Sequence, residues 1–170
     1  MATVESLDKF PAKGQIFVDA NIFLHHAFDL NESSVRFLQR VERGEVKAYT
    51  SPLVLEEVFF KLLVQQSSNL LSKVTLEKVK SLLKDKKARK KIFSPLFRYL
   101  KYLDILKTGG LKVIGLVEED MERAIHISGQ WGLFTADALH LAVMERKEII
   151  NLASADSDFE VIKGITLWKP

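Results

Sequence analysis

Short apolar runs and longer stretches of helical spacing alternate along this chain. Gln15–Val18, Val46–Tyr49, Lys112–Leu116 and Ile150–Ala153 have the Val/Ile/Phe bias of buried parallel strands, and Ile165–Trp168 adds a fifth after Gly164. Between them the period changes to that of helices. A helix starts near Asn21, and Val35, Leu38 and Val41 repeat at helical spacing before Gly44. Ser51-Pro52 opens another helix, because Ser offers a capping oxygen and Pro loses nothing at the first helical position. That helix runs through Val54, Leu55, Val58, Phe59 and Leu62. Thr75 to Lys107 reads as one or two helices stopped by Gly109-Gly110, and Glu118–Trp131 and Thr135–Arg146 are the last long ones. Strands alternating with helices over short connections predict a three-layer α/β sandwich with a mostly parallel central sheet. No repeat or linker divides the pattern, so residues 1–170 read as one domain with a Lys-rich helical section at about 73–107.

In such sheets chemistry collects at the carboxyl ends of the strands. Four segments put an acid there: FVDANIFL (Asp19), SPLVLEEV (Glu56 or Glu57), FTADALHLA (Asp137) and SADSDFEVI (Asp156). Each alone is an ordinary helix-start acid, and Asp158 lies in a first turn where the helix dipole favours it. Asp137 fits that bland reading least. With Thr135 as the cap, it begins a stripe continued by Leu141 and Met144, so its carboxylate faces the sheet and needs a partner. Periodicity does not choose between Glu56 and Glu57. If the first and fourth strands are neighbours, the acids converge. Two such charges about 5 Å apart repel by roughly 3 kcal/mol at an effective dielectric of about 20. No Lys or Arg inside these segments answers them. The remedies are raised pKa values or a hard cation, and an all-carboxylate set suits Mg2+ or Mn2+, one ion or two.

Composition narrows the classes. The chain is 47% hydrophobic and 28% charged, with no cysteine, which excludes disulfides, thiolate metal sites and cysteine nucleophiles. No window reaches the about 18 uninterrupted apolar residues of a membrane span, and MATVESLDKFPAKG lacks a signal-peptide core. A cytoplasmic protein is expected. Phosphate-loop, dinucleotide, serine-elbow and HExxH patterns are all absent.

VDANIFL, SPLVLEEV, ADALHLA and SADSDF together resemble, in order, the four acidic motifs of the PIN-domain family, in particular VapC-like and stand-alone prokaryotic ribonucleases. The resemblance covers almost the whole chain. It implies a strand order of 3-2-1-4-5 and Mg2+- or Mn2+-dependent hydrolysis of RNA. It selects Glu57 and assigns Asp19, Glu57, Asp137 and Asp156 as catalytic metal ligands, with Asp158 assisting. Asn21 and Ser154 become the polar groups that orient the carboxylates. It also implies a single-stranded or structured RNA substrate, a small antitoxin as possible partner, and a homodimer through apolar faces on the helices after Asn21 and Ser51. Ala20 and Ser154 stand where the family commonly has Thr, and the middle section is longer than in the most compact toxins.

From Lys73 to Lys101 cations crowd the chain, including Lys84, Lys86, Lys87, Arg89, Lys90, Lys91 and Arg98, opposed only by Glu77 and Asp85. Such a cluster suits RNA phosphates, or an acidic protein, while Phe93, Phe97, Tyr99 and Tyr102 read as core rather than as stacking platforms. His25-His26 diverge by about 100° on a helix and cannot share an ion; they line a helix flank or a dimer surface. His140 is expected to be a packed or hydrogen-bonded neighbour of the acids. The rival readings are a non-catalytic RNA- or protein-binding module and, further behind, a phosphatase or receiver domain, for which VDANIF lacks the second acid.

Overall fold

The acids' convergence depends on which strands are neighbours. In the computed structural model, which describes residues 1–170, six strands form one sheet. They are β1 (Thr3–Ser6), β2 (Gln15–Val18), β3 (Lys47–Thr50), β4 (Leu111–Val113), β5 (Asn151–Ala153) and β6 (Thr166–Lys169). The order is β1-β6-β5-β2-β3-β4 and every pairing is parallel. The five expected strands therefore lie in the expected order, 3-2-1-4-5, with β1 added outside β6. β1 went unread because all four of its residues are exposed, so it has no apolar pattern; backbone pairing to β6 alone defines it. β4 is shorter than the expected Lys112–Leu116. The chain leaves the sheet at Ile114, whose N–H still reaches the Thr50 carbonyl.

The helices are α1 (Ala20–Ala27), α2 (Glu32–Glu42), α3 (Pro52–Ser68), α4 (Leu76–Leu82), α5 (Lys86–Gly109), α6 (Glu118–Trp131) and α7 (Thr135–Arg146). Side-chain caps set several starts: Asn31 for α2, Ser51 for α3, Thr75 for α4 and Asp85 for α5 each accept from a backbone N–H three residues on. The connections from β2 to β3 to β4 carry α1, α2, α3 and α5, which pack on one another on one face. The return to β5 puts α6 and α7, packed together, on the other. One cluster of 38 buried residues fills both interfaces, built on Ile16, Phe17, Val18 and Leu152 from the central strands. The apolar face expected to be open on α1 is part of this core: Ile22, Phe23 and Leu24 are buried, because α1 is covered by α2 and α3.

Two contacts hold the outer helices. At Gly109 a Cβ would stand 2.4 Å from the Val41 and Glu42 carbonyl oxygens, so only glycine lets the end of α5 seat on the end of α2. On the other face Asp120, with a side chain 2% exposed, accepts from Arg146 Nε at 2.7 Å, Arg146 Nη2 at 2.8 Å and the Val117 N–H at 3.0 Å. Arg146 also donates to the Gly115 carbonyl, tying the end of α7 to the β4–α6 turn. No helix is long and apolar enough to cross a membrane.

The guanidinium of Arg146 holds the Asp120 carboxyl below its usual 3.8. A folded pKa below the unfolded one contributes stability above the unfolded value and loses it as pH falls through the folded one. Asp120→Asn should therefore cost about 2–4 kcal/mol at pH 7, since it leaves a buried guanidinium contact half-made. Urea unfolding at a series of pH values should show that cost shrinking below about pH 4.

Candidate active site

The register Val18↔Ala153 makes the ends of β2 and β5 neighbours, and the Asp19 N–H continues the ladder to the Ala153 carbonyl at 3.1 Å. Asp19 caps α1 from this position and is 6% exposed. A buried carboxylate needs donors, and it has three: the Ala20 N–H at 2.6 Å, Asn21 Nδ2 at 2.5 Å and Ser154 Oγ at 2.7 Å. Asn21 Oδ1 in turn accepts from the Ala155 N–H, and Ser154 Oγ accepts from the Asp156 N–H at 3.0 Å. Asp156 Oδ1 then accepts from the Asp158 N–H, which turns the chain into the short 3-10 turn Asp158–Val161. Asn21 and Ser154 thus stand against Asp19 and fix the path of the Ala155–Asp158 loop.

Asp137 lies in the first turn of α7, half-buried and without a hydrogen-bonded or ionic partner. The helix is capped at Phe134, not at Thr135 as expected; Thr135 is its first residue and contributes no capping oxygen. Burial pushes the Asp137 carboxyl up to about 6, with the charges of Asp19, Asp156, Glu57 and Asp158 adding to the rise. Burial likewise raises Asp19, against the opposing effects of His140, Ser154 and Ala20, and Glu57 adds to the rise. Asp19, Asp156, Glu57 and Asp158 thus all lie within electrostatic reach of Asp137.

Glu57 and Glu56 diverge. Glu57 is the residue whose charge reaches Asp19 and Asp137, whereas Glu56 turns into an apolar groove between α3 and α5. Glu57 is the one member of the group with a cation: Lys61 Nζ lies 2.5 Å from Oε1 on the solvent side. As placed, no three His, Asp or Glu side chains surround a common point.

His140 packs on Phe17 and is 1% exposed, with neither ring nitrogen hydrogen-bonded. Its Nε2 stands 3.9 Å from Asp19 Oδ1; burial lowers the pKa of the ring, and the charges of Asp19 and Glu57 oppose that fall. It is packed, as expected, but not hydrogen-bonded. His25 instead meets Ser34 Oγ at 3.1 Å, and His26 stacks on Tyr102 with centroids 4.2 Å apart. Lys84, Lys86, Lys87, Arg89, Lys90 and Lys91 lie at and before the start of α5, exposed and ion-paired to nothing, the acids included. Phe97, expected in the core, is 60% exposed, whereas Tyr99 is buried and donates to the Phe23 carbonyl. Phe134 was not singled out in the sequence, yet it is exposed beside Thr135 and Asp137; the aromatic at the α7 cap position was its only signal.

A PIN domain family model matches residues 16–165, nearly the whole of this arrangement. The chain belongs to the PIN domain family. Among solved structures this PIN domain is similar to a toxin–antitoxin complex from Klebsiella pneumoniae, with a TM-score of 0.57 and 16% identity over 88% of this chain and 94% of that one. It is also similar to VapBC2 from Rickettsia felis bound to a promoter DNA fragment, with a TM-score of 0.55 and 16% identity over 91% and 98%. At that identity the likeness is one of fold. No curated protein sequence matches the chain.

A carboxyl whose folded pKa exceeds its unfolded one subtracts stability as it ionises, here from 3.8 up to about 6. In protein kept in a chelator, Asp137→Asn should raise stability at pH 7.5 by about 1–3 kcal/mol and leave it nearly unchanged at pH 4. Thermal melts at the two pH values read the difference directly. Equal shifts at both would mean that Asp137 does not feel the other acids.

Proposed function

We propose that this PIN domain is a metal-dependent ribonuclease, with Asp19, Glu57, Asp137 and Asp156 as the groups that hold Mg2+ or Mn2+ and Asp158 assisting. What supports the reading is that Asp19 and Asp156 extend from neighbouring strand ends, that Asp19, Asp156, Glu57 and Asp158 all act to raise the Asp137 carboxyl, and that Asp19, Asp137 and Asp156 have no Lys or Arg partner. The donor set is all oxygen, which fits a hard cation. When bound, such an ion supplies charge for the phosphoryl oxygens and acidifies water for attack on phosphorus. Asn21 and Ser154 hold the Asp19 carboxylate in one orientation, which limits the reorganisation needed on metal binding. Phe134 offers a flat apolar surface to an unpaired base beside the acids. The unpaired cations Lys84, Lys86, Lys87, Arg89, Lys90 and Lys91 offer a second, sequence-independent hold on phosphates. The fold's likeness to toxin–antitoxin complexes supports a cytoplasmic toxin that a small antitoxin restrains.

A second reading, a PIN-like module that binds RNA or protein without cleaving, is favoured by the Glu57–Lys61 ion pair and by the open spacing of the acids. Cleavage and metal binding separate the two. The nuclease reading expects hydrolysis of single-stranded RNA in Mn2+ or Mg2+, abolished by EDTA and by Asp19→Asn or Asp156→Asn in proteins that remain folded. Ser154→Ala should weaken Mn2+ binding by about 10–100-fold in calorimetry. Phe134→Ala should raise KM by about 5–100-fold while metal binding stays intact. RNA that is retained on the protein but never cut, with no Mn2+ heat, decides for the binding module.

A further inference from the structure

Along α5, Lys87, Lys91, Ser94, Arg98 and Tyr102 recur every third or fourth residue, so they share one helix face over about 22 Å. The first part of that face borders an open hollow of about 540 Å³, lined by Lys87, Lys90, Lys91, Ser94, Pro95 and Arg98. All four cations are exposed and none has an ionic partner. The acids nearest along the chain are occupied: Asp85 caps the start of α5 and Asp104 pairs with Lys107. Like charges at this spacing repel one another, and a polyanion relieves them while releasing its own counterions.

Pro95 and Arg98 also line a second hollow, of about 380 Å³, so the two adjoin. Its other walls differ in kind: His26 from the end of α1, Leu62 and Gln66 from α3, and Tyr99 and Tyr102 from α5. His26 and Tyr102 stack with planes 5° apart, and His26 Nδ1 is enclosed without a hydrogen-bond partner. Gln66 brings an amide that both donates and accepts. The charge changes as well, since Glu42 and Asp29 act on His26, and Glu42 on Tyr102. That end is unfavourable for a phosphate. It suits a flat, neutral heterocycle with donors and acceptors along its edge. A ligand that is polyanionic over one stretch and planar and uncharged at its end is a single strand of RNA with a base turned out of the stack. An acidic protein segment would answer the cations but not the ring-walled hollow. We propose that the Lys87–Arg98 face of α5 carries the phosphates of single-stranded RNA, and that the hollow walled by His26, Gln66, Tyr99 and Tyr102 takes one of its unpaired bases. This base site lies on α1, α3 and α5, apart from Phe134 at the start of α7. It rests on the RNA reading above, but not on cleavage.

Binding measured in EDTA keeps cleavage out of the test. By fluorescence anisotropy the parent should bind a uridine octamer about 5–100-fold more tightly than an octamer of abasic ribose phosphates, and should discriminate similarly against an RNA duplex, whose bases are paired. Lys87→Ala and Lys91→Ala should weaken both single strands alike, each lowering the slope of log affinity against log salt by about 0.7. His26→Ala and Gln66→Ala, shown to be folded by circular dichroism, should instead cut the preference for uridine over the abasic strand by about fivefold or more and leave the salt slope unchanged. An octamer carrying 4-thiouridine should cross-link on irradiation to peptides containing His26, Tyr99 or Tyr102. A base preference indifferent to His26→Ala and Gln66→Ala, a salt slope indifferent to the two lysines, or cross-links confined to Phe134 would overturn the site and leave the ribonuclease reading standing. A polyglutamate peptide that binds the same lysines more tightly than the octamer would do likewise. A parent that binds no RNA overturns this site and that reading together.

Discussion

One buried charge organises the working edge of this sheet. Asp19 sits where β2 and β5 end side by side, and its carboxylate is taken out of water at a cost that only donors can offset. The donors come from both strands' extensions: Asn21 from the first turn of α1 and Ser154 from the residue after β5. Having been recruited to Asp19, each then uses its remaining hydrogen-bonding capacity on the loop that carries Asp156. The positions of two acids far apart in sequence therefore follow from satisfying one of them.

Two adjacent helices show how differently the fold treats an acid. Asp120 on α6 is fully enclosed, but Arg146 and a backbone N–H satisfy it, and its pKa falls. Asp137 on α7 is less enclosed, yet it receives no partner and faces other negative charges, and its pKa rises. Burial alone does not set the direction in which an acid's pKa moves; the presence or absence of a cationic partner does. The core of 38 residues and the capped helices supply the stability against which this withheld charge is set.

Much of this was legible in the sequence for physical reasons that also explain the exceptions. Strands buried on both faces leave continuous apolar runs, so β2, β3, β5 and β6 were located to within a residue, and α6 and α7 to the residue. β1, with no buried side chain, leaves no such trace. β4 was overextended because Ile114 and Leu116 continue the apolar pattern after the chain has left the sheet. Asp19, Asp137 and Asp156 stand out in the sequence because they follow a strand or open a helix, whereas the rotation of α3 that separates Glu57 from Glu56 is not encoded in local periodicity. The open face anticipated on α1 is closed by α2 and α3, a contact between elements that local periodicity does not encode. The exposure of Phe97 beside buried Tyr99 is the same lesson on α5.

The close seat of Gly109 on α2 has a consequence for how this domain can change. It fixes the far end of α5, and with it the entry into β4, by contact with backbone that no side chain can replace. The lysine-rich start of α5 lies more than four helical turns away from that anchor. The exposed lysines there carry no packed contact to the sheet, so their charge can change without touching the backbone seat that fixes the entry into β4.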